Sequence, residues 1–161
     1  MGVFTAGGET VLDATPEEVY DFISDPRNWP RVFRGSADIS TSVEIPLGIG
    51  DTFTEVVEVG GSFSCRSTWS VITAVRPRTF AYQQVDDLGA SADGTGGVDG
   101  ITTITYTLTP VGAGTHFHRV LRCELPRGVT IPEPLLLARA TTANIEHFQE
   151  GVEREIRTAR T

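Results

Sequence analysis

The stretch Leu12-Asp13-Ala14-Thr15-Pro16-Glu17-Glu18-Val19-Tyr20 decides the fold of this chain. It turns a strand into a helix with no room for a loop. Thr15 has the side chain of an N-cap, Pro16 suits the first helical position, and Glu18 completes a capping box with Thr15. Upstream, Val3 to Ala14 reads as a strand weakened by Gly7-Gly8, a pair that signals a bulge or close packing. Downstream, Val19, Phe22 and Ile23 form the apolar stripe of a short helix that Asp25-Pro26 stops. Asn28-Trp29-Pro30 then opens a second short helix or turn ending near Phe33. A single strand followed by two short helices leaves its sheet unfinished.

The rest of the sheet follows as consecutive strands. Ala37 to Ile45 is one, and Gly50 to Val59 and Ser62 to Val75 are joined by Gly60-Gly61, a strong hairpin signal. Arg78 to Val85, Ile101 to Thr109 and Thr115 to Leu125 complete the set. Hairpin follows hairpin, which specifies an antiparallel meander. In Ser62 to Val75, Phe63, Cys65, Trp69, Val71 and Val75 fall on one face, while Ser64, Arg66, Thr68 and Ser70 fall on the other. Such a sheet has one buried side and one wet side. The chain closes with a helix expected over Pro134 to Arg157, where Ala138, Thr141, Ile145, Phe148, Val152 and Ile156 keep helical spacing. A helix of about 35 Å would cover the concave face of a curved six- to seven-stranded antiparallel sheet. The expected class is α+β, with residues 1–161 forming one domain.

Composition narrows the function. The net charge is −8, and every one of the basic residues is arginine. An acidic chain without basic clusters is poorly suited to nucleic acid or anionic membranes. Without lysine no side-chain Schiff base can form, which removes amine-type aldolase and pyridoxal chemistry. A fixed positive charge in any site must be a guanidinium. No apolar run is long enough for membrane insertion, and the N-terminus lacks the pattern of a secretory signal. Cys65 and Cys123, both in strand-like segments, read as buried reduced thiols of a cytoplasmic protein.

The opening segment, with Phe22-Ile23-Ser24-Asp25-Pro26 and Asn28-Trp29-Pro30, resembles the START-like (SRPBCC) superfamily of polyketide cyclases/dehydratases and lipid-transport proteins. Trp69-Ser70-Val71 through Arg76-Pro77-Arg78-Thr79-Phe80, and Thr105 to Pro110 through Gly114-Thr115, carry the same resemblance. It covers nearly the whole chain. The resemblance implies the helix-grip fold of the birch-pollen allergens, with a sheet wrapped around the last helix and an internal ligand cavity. These motifs are caps, turns and wall residues, so they specify fold rather than function.

A helix laid across a curved sheet rarely fills the space beneath it. Trp29, Phe33, Phe53, Trp69, Tyr82, Tyr106 and Phe148 are candidate cavity walls, and each also suits an ordinary core. Polar residues on apolar faces are more telling. Glu55 shares strand parity with Phe53 and Val57, Arg119 shares it with Phe117, Leu121 and Cys123, and Thr141 and Gln149 lie on or near the helix stripe. Glu55 and Arg119 read either as an internal ion pair or as a base and an oxyanion-holding cation. One bulge near residue 55 would turn Glu55 outward. His116 and His118 share a strand face, but no third ligand is evident, so no metal site is assigned. By pKa and reach, His118 and Tyr106 remain candidates for proton transfer. The glycine-rich segment Asp86 to Gly100 reads as a lid or a disordered loop, and Arg127 to Pro134 as a second rim.

Two functions fit. One is a cofactor-independent cyclase, aromatase or dehydratase acting on a polyketide-like or other oxygenated apolar substrate. The other is a non-catalytic carrier or sensor of a hydrophobic ligand. A chaperone-activating module is a third class, and it would need an exposed apolar patch instead of a cavity. Either a monomer or a homodimer is compatible with the sequence.

Overall fold

A computed structural model describes residues 2–33, 35–40, 44–59, 63–85, 88–91, 93–129 and 142–161, leaving the side chains of Val59 and Phe63 aside. Strand β1 (Gly2–Leu12) runs into helix α1 (Pro16–Ile23) and a 3-10 helix, Pro26–Arg31. Then come β2 (Ser36–Ser40), β3 (Thr52–Val59), β4 (Phe63–Val75), β5 (Thr79–Val85), β6 (Ala90–Ser91), β7 (Ile101–Val111) and β8 (Gly114–Leu125). Helix α2 (Thr142–Ala159) closes the chain. The expected helical stretch before Thr142, including Thr141, lies outside the described residues.

All strand pairs are antiparallel, in the order β1-β8-β7-β5-β4-β3-β2, with the short β6 beside β4. This is the helix-grip arrangement. The reversal that the opening stretch specifies is made as its residue types require. Thr15 Oγ1 accepts from the Glu18 amide at 3.2 Å, Glu18 Oε2 accepts from the Thr15 amide at 2.8 Å, and Pro16 stands at the helix start. At the far end of the chain, Arg160 grips both Glu18 oxygens at 2.6 and 3.0 Å and so ties the end of α2 to the start of α1. This clamp holds the Glu18 carboxyl down at a pKa of about 2, the Arg160 bond being the largest cause and the Thr15 amide the next favourable one.

The core lies between the sheet and α2. Ile145, Phe148, Val152 and Ile156 face it, as the helical spacing requires. Two expectations need correction. Gly7-Gly8 makes no bulge, because β1 pairs with β8 in unbroken register from Gly2 to Leu12. Its role is close packing: an added Cβ at Gly8 would lie 2.7 Å from Ile145 Cγ2. Val75 does not share the inner face of β4, since a register shift between Val71 and Thr73 turns the strand over and leaves Val75 exposed. In the 86–100 segment, several described residues make contacts. Leu88 and Ala90 are buried, Leu88 bridges to Val98, and Ser91 donates to the Thr95 carbonyl at 2.8 Å.

Candidate functional site

Alternation along three strands builds the site. On β3, Phe53, Glu55 and Val57 are buried in turn, and the pairing with β4 runs without a shift, so Glu55 points inward. On β8, Phe117, Arg119, Leu121 and Cys123 are buried in the same way. Tyr106 on β7 stands directly opposite Arg119. The 3-10 helix supplies Trp29, whose indole Nε1 donates to the Ile23 carbonyl at 3.1 Å, fixing the ring against Phe53 and Tyr82. Phe148 comes down from α2.

These elements enclose a pocket. Its walls are Trp29, Phe33, Trp69, Tyr82, Tyr106 and Phe148, with Glu55, Arg119 and Ile104 between them. Sequence reasoning missed Ile104, although it shares the inward parity of Tyr106 on β7. Phe53 stands behind the wall, edge-on to Trp29 with ring centres 5.1 Å apart. Gln149 does not line the pocket. It bolts α2 to the sheet, its Nε2 donating to the carbonyls of Gly8 at 3.0 Å and Phe117 at 3.2 Å. His118 is on the outer face of β8, of opposite parity to Arg119, with the ring of His116 6.5 Å away. His116 meets Glu9 across the strands at 3.0 Å. His118 is therefore not brought to the pocket. The cavity itself is about 10 Å3, the room that one water takes.

The polar chemistry is concentrated at Arg119. The residue is 3 % exposed, yet its Nε and Nη1 have no hydrogen-bond partner. Its guanidinium lies over the rings of Phe148, at 4.9 Å, and Tyr106, at 5.9 Å. Burial alone would pull its pKa down, but the nearby Tyr106 and Tyr82 oxygens outweigh that and raise it, so it stays a cation. Leaving a buried donor unpaired costs roughly 1–3 kcal/mol, so the pocket holds unspent hydrogen-bonding capacity. The Tyr82 and Tyr106 hydroxyls bond to each other at 2.9 Å, and burial pushes the Tyr82 phenol well up, with Tyr106 adding to the shift. Glu55 Oε2 accepts from Trp69 Nε1 at 3.0 Å, which fixes the carboxylate in place. The pocket thus joins a held carboxylate, a cation with free N–H groups and a phenol pair inside aromatic walls.

The described residues contain no group of three or more His, Cys, Asp or Glu side chains arranged to hold a metal. No described helix is long and apolar enough to cross a membrane.

Comparison with known proteins supports the same fold. No curated protein matches the chain in sequence. Among solved structures, TTHA0849 from Thermus thermophilus superposes with a TM-score of 0.70 at 18 % identity, covering 98 % of this chain and 99 % of that one. A START superfamily protein from Mycobacterium smegmatis gives 0.69 at 15 % identity, with the same coverage of both chains. Ara h 8.0201 gives 0.69 at 10 % identity, again with 98 % and 99 % covered. At such identities the likeness establishes architecture alone. The sequence profile of one family matches residues 5–157, and the chain is a member of that family, polyketide cyclase/dehydrase and lipid transport.

Proposed function

We propose that this domain binds a small oxygenated apolar molecule in the internal pocket and catalyses proton abstraction beside its carbonyl, as a cyclase, aromatase or dehydratase. The observation that carries the proposal is Arg119, a buried cation whose Nε and Nη1 are unpartnered inside an aromatic pocket that also holds Glu55. In the reaction, the Glu55 carboxylate removes a proton from the carbon next to the carbonyl, the C–H electron pair forms a C=C bond, and the carbonyl π pair moves onto the oxygen. The Arg119 N–H groups stabilise the resulting enolate oxygen, an interaction that strengthens as charge develops. The enolate carbon attacks a second carbonyl of the same chain, and the proton on Glu55 passes to the alkoxide that forms. Glu55 then takes the second proton from the same α-carbon, the regenerated enolate expels the β-hydroxide to form the C=C bond, and the proton leaves with that hydroxide as water. The phenol pair of Tyr106 and Tyr82 orients the second oxygen. The aromatic walls hold one reactive conformer, which supplies much of the rate by positioning. Any ligand larger than water must displace wall side chains to enter.

Hydrogen–deuterium exchange at the α-carbon of 2-tetralone, followed by NMR in deuterated buffer, tests the chemistry. Glu55→Gln should slow the protein-dependent exchange about hundredfold or more, and Arg119→Met by a similar factor. Binding of the ketone with exchange no faster than in buffer would favour the carrier reading instead. The engagement of Glu55 by Trp69 is the observation on that side, since a carboxylate fixed in a hydrogen bond also suits a passive wall.

A further inference from the structure

Gly8 on β1 stands directly across from Arg119 on β8, and α2 crosses over that pair. An added Cβ at Gly8 would come within 2.7 Å of Ile145 Cγ2 and 3.3 Å of Ile145 Cβ. Ile145 is β-branched and stiff within a helix, where one χ1 rotamer is strongly preferred, so stepping aside is costly. Next along the helix, Phe148 covers the Arg119 guanidinium at 4.9 Å and Gln149 Nε2 bonds the Gly8 carbonyl at 3.0 Å. The bare backbone at position 8 lets α2 down onto β1, and the descent brings Phe148 onto Arg119. A second contact of this kind lies at Gly151, where an added Cβ would sit 3.2 Å from Val32 Cβ, just beyond the 3-10 helix. The height of α2 is thus set at two glycines, and that height sets the room beneath Phe148, about 10 Å3.

We propose that Gly8 is a specificity-determining position: by seating α2 low, it limits the thickness and size of flat ligands whose oxygen meets Arg119. The flatness follows from walls made of aromatic faces, and the oxygen from the unpartnered N–H groups. This inference rests on reading the pocket as the ligand site.

Dissociation constants for 2-naphthoate and 2-anthroate, two and three fused rings bearing the same carboxylate, are read from the probes' own fluorescence. The parent protein should prefer 2-naphthoate. Gly8→Ala should move the ratio of the two constants toward 2-anthroate by about tenfold or more, the scale of a methylene-sized change in a pocket. Gly8→Ala combined with Ile145→Ala should return the ratio to that of the parent, because the obstruction is gone. Gly151→Ala should shift the ratio the same way by less, and it carries the test if Gly8→Ala does not fold. A shifted melt with an unchanged ratio would make Gly8 a packing residue only and overturn the inference. If neither acid binds to parent or variants, this inference and the ligand reading of the pocket fall together.

Discussion

Arg160 and Arg119 are joined to the chain in opposite ways. Arg160 lies at the surface and is fully engaged, with both Glu18 oxygens and the Asp13 carbonyl as acceptors. Arg119 is buried, and two of its three nitrogens make no hydrogen bond. Folding satisfies polar groups where it can, so the engaged arginine serves the architecture. The unengaged one is tolerated at a cost that stability alone does not explain. Strained or unsatisfied positions concentrate where function needs them. The clamp region holds the shape of the chain, and the pocket region is the one our proposal gives to the ligand.

The largest effect should come from Phe148, which links the two regions by packing α2 onto Arg119. Phe148→Ala should lose about 3–5 kcal/mol in urea unfolding, the usual range for emptying a buried aromatic site. Phe148→Asp is more discriminating. It sets a carboxylate near the unpartnered guanidinium, so its cost should rise further when Arg119→Met is also present and the carboxylate is left without a partner. Equal costs in both backgrounds would show that Arg119 is not available to an anion on the helix side.

A smaller effect is expected for the stability of Arg119→Met. Methionine keeps much of the apolar stem, and the N–H groups lost from Nε and Nη1 were unbonded, so the penalty relieved there offsets the loss at the remaining nitrogen and stability should change by less than about 1 kcal/mol. A loss of about 3–5 kcal/mol would instead mean that Arg119 neutralises Glu55 across the pocket. Arg119→Met with Glu55→Gln would then recover most of it. That result would remove the contrast with Arg160 and make both arginines structural.

Most of the fold is legible in the residues themselves. Thr15-Pro16-Glu17-Glu18 specifies its own capping box, and the alternation around Glu55 and Arg119 places both side chains inward. What escapes the sequence is what depends on a second element. The turnover of β4 after Val71 arises from its pairing with β5, and nothing in the residues marks it. The same holds for Gln149, on the stripe by spacing, whose task depends on carbonyls of β1 and β8. His118 shows the reverse limit: its residue type suits proton transfer, but parity with His116 sends it to the outer face. The pairing of Arg160 with Glu18 joins residues from opposite ends of the chain, and no local pattern announces it.

That pairing supports the smallest and most pH-specific expectation. Glu18 is held at a pKa of about 2 against an ordinary value of 4.5, chiefly by Arg160 and then by the Thr15 amide. Because the folded pKa is depressed, the native state favours the ionised carboxylate. Its contribution is fully present above about pH 4.5 and fades as the pH falls towards 2. The Glu18 side chain keeps 36 % of its surface in water and Arg160 keeps 41 %, so solvent screening reduces the effect to about 1 kcal/mol or less. Glu18→Gln should therefore lower stability slightly at pH 7, and the gap from the parent should close between pH 4.5 and 2. Arg160→Met should remove part of the same pH dependence, because Thr15 still holds the carboxylate. Urea midpoints at stepped pH, compared between parent and variants, read this directly. A gap that persists unchanged down to pH 2 would mean that Glu18 acts through packing and not through charge, and the clamp would lose its electrostatic meaning.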